Sequence, residues 1–156
     1  MVSVRPTAAD STEARQLLAE YFGMRAATFP GAYTPVFPAP ESFDPPAGVF
    51  LIVADEGELA GCGGIRRIPD GPRGIRYEVK HLFLRPATRG RGWGRLLLDE
   101  LERHAREWGA GDLVLDTHHT LEAAAGLYAS AGFVPVEAYN DNPNATRWYA
   151  KPLCAD

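Results

Sequence analysis

The stretch His81–Arg95, HLFLRPATRGRGWGR, constrains this chain more than any other. It reads as the end of an apolar strand, a proline-marked turn, a glycine-rich loop and the start of a long amphipathic helix. A helix N-terminus leaves its first backbone N–H groups unpaired and carries partial positive charge, which makes it an anion site. Gly90, Gly92 and Gly94 allow a phosphate to approach the backbone, and Arg89, Arg91 and Arg95 add charge-assisted hydrogen bonds. The simplest ligand that uses all of these is a pyrophosphate. A P-loop would need Lys-Ser/Thr where Trp93-Gly94-Arg95 stands. A dinucleotide fingerprint would need G-x-G-x-x-G near a parallel βαβ start, whereas the spacing here is G-x-G-x-G, past mid-chain.

The remainder of the chain suits a small anionic ligand on an ordinary globular scaffold. Its 156 residues fit one domain, 1–156, and 46% hydrophobic with 23% charged residues can bury one core. The net charge of −4 argues against coating a nucleic acid, so the loop arginines are a local feature. No apolar run approaches a membrane span, and Met1 leads into a strand-like Val2-Ser3-Val4 rather than a signal peptide. A cytoplasmic protein with no membrane partner is therefore expected. Cys62 and Cys154 form no metal or redox motif and are expected to be free buried thiols; no metal site is expected.

In order, Val2–Arg5 reads as a strand. Asp10-Ser11-Thr12-Glu13 reads as a capping box for a helix whose buried stripe is Ala14, Leu17, Leu18 and Tyr21. Between Thr28 and Gly48 six prolines alternate with Phe29, Tyr33, Phe37 and Phe43, which excludes a long helix or a central strand. That segment is either an irregular surface run held down by its aromatics or a wall of a substrate pocket. Val49–Ala54, Leu59–Ile68 and Ile75–Leu84 read as an antiparallel meander, with a turn at Pro69–Pro72. Gly61, Gly63 and Gly64 suggest close approach of another backbone or a ligand.

Within the third strand of the meander, Val79 does not share parity with Leu82 and Leu84. A β-bulge between them restores a common face, and a strand buried on both faces is the alternative. A helix from Gly92 to Trp108 follows, with Leu97, Leu101, His104, Ala105 and Trp108 inward and Asp99/Arg103 and Glu102/Arg106 paired outward. Leu113–Leu115 is then a strand parallel to the third, Thr120 caps a helix over Leu121–Ala131, and strands follow from Gly132 and over Arg147–Pro152.

Two motifs carry a family resemblance. Arg89-Gly90-Arg91-Gly92-Trp93-Gly94, preceded by Leu84-Arg85-Pro86, resembles motif A of the GNAT superfamily of acyl-CoA-dependent N-acetyltransferases. Ala124, Leu127, Tyr128, Gly132 and Phe133 match, position by position, the A-x-x-L-Y-x-x-x-G-F run of the same family. The resemblance implies an α/β fold with a mixed, mostly antiparallel central sheet of six to seven strands and helices on both faces. It implies acetyl-CoA as co-substrate, its pantetheine arm along Leu82, Phe83 and Leu84 and its pyrophosphate on Arg89, Gly90, Arg91, Gly92, Trp93, Gly94 and Arg95. The chain departs from many members at Leu121, where an Asn contacts the cofactor arm.

Direct acetyl transfer to a primary amine then assigns roles. Glu78 is the general base, directly or through water, or else a solvated strand residue paired with Arg76 or Lys80. Tyr128 protonates the leaving thiolate, or else is a core tyrosine. Backbone N–H groups near Leu82 polarise the thioester oxygen. His118 and His119 are second-tier candidates. Tyr33, Phe37, Tyr139 and Asp141 would bind the acceptor, a small-molecule or peptide amine. A CoA-binding or sensing module without turnover is the other functional reading, and a monomer or homodimer is expected.

Overall fold

A computed structural model describes residues 1–35 and 37–153, so Cys154 lies outside the described residues. The strands are β1 (Val2–Pro6), β2 (Gly48–Asp55), β3 (Glu58–Gly71), β4 (Gly74–Leu84), β5 (Asp112–Thr117), β6 (Val134–Val136) and β7 (Arg147–Pro152). They form one seven-stranded sheet of order β1-β2-β3-β4-β5-β7-β6, in which β4 and β5 pair in parallel and the other neighbours antiparallel. The helices are α1 (Thr12–Thr28), α2 (Trp93–Glu107) and α3 (Glu122–Ser130). A parallel pair needs a long crossover, and α2 supplies it between β4 and β5.

The run Val49–Ala54 shows why the sheet is covered on both faces. Side chains alternate along a strand. Val49, Leu51 and Val53 accordingly join the core with Leu97, Leu98, Leu101 and Ala105 of α2. Phe50 and Ile52 join the opposite core with Ala14, Leu17, Leu18 and Phe22 of α1. Each fully buried Val, Leu, Ile or Phe among them contributes about 1.5–3 kcal/mol of transfer free energy. Tyr128 and Ala131 bring α3 into the α2-side core.

Several local expectations are corrected. Ser11 caps α1 by accepting from the Ala14 amide at 3.1 Å, but Glu13 pairs with Arg5 at 2.7 Å instead of closing a capping box. The β3–β4 turn is Pro72-Arg73, two residues later than expected, because β3 stays paired through Gly71. On α2, Glu102 does pair with Arg106 at 3.0 Å, but Asp99 pairs with Arg95, and Arg103 with Glu100 and Glu107. Thr120 does not cap α3; the cap position is Leu121, with no side-chain hydrogen bond.

The bulge in β4 is present. Cys62 faces Phe83 while Gly64 faces Lys80, so one step over Gly63 on β3 spans His81 and Leu82 on β4. His81 takes a left-handed conformation, φ 59°, at the extra position. Val79, Leu82 and Leu84 consequently all pack on the α2 side, and Phe83 on the α1 side. The strand glycines accommodate protein rather than ligand: a Cβ on Gly63 would stand 2.9 Å from the Leu82 side chain, and one on Gly64 2.7 Å from Phe43.

Candidate active site

β4 pairs with β5 only from Arg76 to Val79, against Asp112 to Leu115. Beyond Val79 the strands part, because β5 continues alongside β7 while the bulge bends β4 away. Lys80 and Asp116 face each other across this fork at 3.3 Å. A cavity of about 1200 Å³ runs through it, floored by His81, Leu82, Phe83 and Leu84. One end reaches Arg89, Gly90, Gly92, Trp93, Gly94 and Arg95 and the α3 side chains Leu127 and Tyr128; the other reaches Tyr21, Phe22, Arg25, Tyr33 and Phe37. A single small ligand usually occupies about 300–1,000 Å³, so this space admits two.

At the first end, Gly90 and Gly92 hold φ of 82° and 80°, a region that disfavours other residues. Gly92 is the N-cap of α2 and offers no side chain to its first turn, whose first helical bond is Leu96 N–H to Gly92 C=O at 3.1 Å. The amides ahead of that bond face an anion site in the way expected of a helix start. Arg89 donates from Nε to the Leu84 carbonyl at 3.2 Å. Arg91 stacks over Trp93 at 5.1 Å and does not line the cavity. Arg95 is turned along the helix to Asp99 at 3.0 Å and to the Ser130 carbonyl at 3.2 Å. Loop amides, Arg89 and an apolar floor together fit a CoA-type ligand.

Tyr128 is packed in the core and also reaches the cavity. It is 6% exposed and its ring lies against Phe133 and Tyr149. The side chain lines the cavity. Burial pushes its pKa well above the usual phenol value, so it carries its proton.

Glu78 is 1% exposed and lies behind the cavity wall. The β3–β4 register sets Arg66 opposite it, and Arg66 donates from Nε and Nη2 at 3.1 and 3.0 Å. Neither Arg76 nor Lys80 is its partner: Arg76 bonds the Pro69 carbonyl and Lys80 pairs with Asp116. Tyr139 donates to the other Glu78 oxygen at 2.6 Å, joined by Asn140 at 3.3 Å. Burial, then the charges of Glu78 and Asp116, hold the Tyr139 hydroxyl well above its ordinary pKa. Asn140 also donates to Asp116 at 2.8 Å, as does Asn142 at 3.1 Å. Burial raises the Asp116 pKa, but Lys80 and these amides outweigh it and keep the carboxyl below its usual range.

The acceptor-side expectations divide. Tyr33 and Phe37 line the cavity, whereas Tyr139 stands behind it and Asp141 is exposed on its loop, outside the lining. The acids in the cavity lining are Asp116, at the fork, and Glu122, at the start of α3. His118 accepts from the Thr120 amide through Nδ1 at 3.3 Å, and His119 bonds Thr146, so both histidines secure loops outside the lining. Sequence reading missed Arg25, His81 and Asp116. The signal for Arg25 and Asp116 was a charge at a core position: Arg25 continues the stripe of Leu18 and Phe22, and Asp116 follows Leu113–Leu115. His81 packs among Tyr21, Phe22 and Phe43; burial first, then Lys80 and Arg66, lower its pKa to about 3. Cys62 is buried, and burial raises its thiol pKa.

Residues 12–133 match the family model of the acetyltransferase (GNAT) family. The chain belongs to the GNAT family of acetyltransferases. An uncharacterized N-acetyltransferase of Schizosaccharomyces pombe is 36% identical over 138 residues, covering 86% of this chain and 82% of that one. Among solved structures, a candidate acyl-CoA N-acyltransferase of Klebsiella pneumoniae superposes with a TM-score of 0.77 at 25% identity over 99% of both chains. The PaiA N-acetyltransferase of Thermoplasma acidophilum, solved with coenzyme A, shares the fold at a TM-score of 0.74 and 16% identity, over 98% of this chain and 99% of that one. Within this GNAT chain no helix among the described residues is long and apolar enough to cross a membrane.

Proposed function

We propose that the protein moves an acetyl group from acetyl-CoA directly to a primary amine. The observation that carries this reading is that Tyr128, buried on α3, lines the same cavity as the glycine loop. Acetyl-CoA supplies an acetyl thioester whose C–S bond breaks as the amine N–C bond forms. First-turn amides of α2 and Arg89 bind the diphosphate, and the apolar floor at Leu82, Phe83 and Leu84 aligns the arm. The edge of β4 left without β5 offers N–H groups near Leu82 to the thioester oxygen. Tyr128 gives its proton to the departing sulfur. Glu78 takes the amine proton through a water, since its oxygens lie behind Tyr139 and Asn140 rather than in the cavity.

A panel of primary amines offered with acetyl-CoA, read by thiol release and product mass, tests this reading. Wild type releases thiol in step with N-acetylated product. Glu78→Gln lowers kcat by about 10²–10⁴-fold with little change in KM for acetyl-CoA, the range for removal of an acid–base group. A wild-type kcat in Glu78→Gln leaves that carboxylate as the anchor of Arg66 and Tyr139 only. CoA binding without turnover of any amine contradicts the transferase reading and marks a sensing module.

A further inference from the structure

Arg25 is a buried cation with no carboxylate beside it. It is 6% exposed on α1 and lines the cavity. Nη1 donates to the Tyr21 hydroxyl and Nη2 to the Asn144 carbonyl, both at 3.2 Å. The guanidinium also lies 5.2 Å from the Tyr33 ring centre and 5.9 Å from that of Phe29. Among the described residues no acidic oxygen lies within 4.0 Å of it. Arg66, Lys80 and Arg95 line the same cavity and each has an acid, Glu78, Asp116 and Asp99, while Arg89 at the glycine loop is exposed to water and bonds the Leu84 carbonyl. A guanidinium withdrawn from water without a counter-charge is costly, and its planar fork matches a carboxylate.

An anion lines the same chamber. Asp116 lines the cavity at the strand fork with its side chain only 5% exposed. The two poles are tied by one short loop. Arg25 holds the Asn144 carbonyl, the Asn144 amide donates to Asn142 Oδ1 at 3.0 Å, and Asn142 Nδ2 donates to Asp116 at 3.1 Å. On the other side Arg25 is one ring from the bulge, because Tyr21 bonds Arg25 and packs on His81 at 5.9 Å. Asp116 thus stands at the strand fork and Arg25 one ring from the bulge, with Tyr21, Phe22, Tyr33 and Phe37 among the walls of the same cavity.

Resting on the transferase reading above, we propose that the acceptor is a free amino acid with an apolar or aromatic side chain. Arg25 holds its carboxylate, Asp116 orients its ammonium toward the fork, and the aromatic walls take its side chain. A peptide N-terminus presents a neutral amide where the carboxylate stands and leaves Arg25 uncompensated.

The test compares L-phenylalanine, L-phenylalaninamide and phenethylamine. Calorimetric binding to the protein without acetyl-CoA is measured alongside steady-state kinetics. Wild type binds and acetylates phenylalanine at least about 10-fold better than either analogue, and Arg25→Met raises Kd and KM for phenylalanine by about 10–100-fold, the range for removing a charge-assisted hydrogen bond. The same variant affects phenethylamine far less, and Arg25→Lys recovers part of the loss. Equal use of phenylalanine and its amide by wild type overturns the proposal, as does unchanged phenylalanine binding in Arg25→Met. Should Arg25→Met not fold, the wild-type comparison of acid, amide and amine still decides. Thiol release with phenethylamine but no preference for the acid sinks this inference alone; no thiol release with any amine sinks the transferase reading.

Discussion

Tyr128→Phe is expected to lower kcat by about 10²–10⁴-fold while leaving acetyl-CoA affinity nearly unchanged, the signature of a missing general acid. The substitution removes one oxygen and keeps the ring. That ring packs against Phe133 and Tyr149, so the core keeps its packing. The hydroxyl lies on the cavity side of the ring, where the side chain forms part of the lining. Because burial keeps the phenol protonated, it can give a proton to a thiolate but does not compete as a base. Thermal stability of the variant should match wild type. A variant that turns over at the wild-type rate leaves Tyr128 as packing alone.

Gly94→Asp is expected to weaken CoA binding by at least about 100-fold in a titration, without unfolding the protein. A Cβ at this position meets the Leu127 Cδ2 at 3.2 Å and the Leu84 Cδ1 at 3.5 Å, both ends of side chains that can yield. An acidic residue in the first turn of α2 also suits the helix dipole, so the helix is not expected to melt. The new carboxylate instead falls between α3 and the floor of the cavity, where it repels a diphosphate and fills its passage. Each charge-assisted hydrogen bond to the diphosphate is worth about 1.5–3 kcal/mol, and about 1.4 kcal/mol is a factor of ten. Unchanged CoA affinity in this variant removes the diphosphate from the glycine loop.

What the sequence made legible was local, and what it hid was register. The slip of parity between Val79 and Leu82 left a bulge or a doubly buried strand open, and the β3–β4 register decides for the bulge; the glycine loop announced the start of α2. The sequence did not announce that His81, rather than a glycine, would take the left-handed position. Sequence proximity suggested Arg76 or Lys80 as partner for Glu78. The partner is Arg66, which only the β3–β4 pairing brings opposite. The same holds for the acceptor chamber. The asparagine-rich loop was visible as a polar run, and its exposed Asp141 stood out in it. Which acids the loop serves depends on where β5 ends, and it serves Asp116 as well as Glu78. Arg25 lies in the last turn of α1, and its burial follows from the packing of that helix on the sheet.

The central claim is direct transfer between two substrates held together in one cavity that passes through the strand fork. Initial-velocity kinetics with acetyl-CoA and the amine varied together test it most directly. Lines intersecting to the left of the ordinate in double-reciprocal plots, with one thiol released per amide formed, are the predicted result. Parallel lines, with an acetylated protein recovered when the amine is omitted, would contradict it.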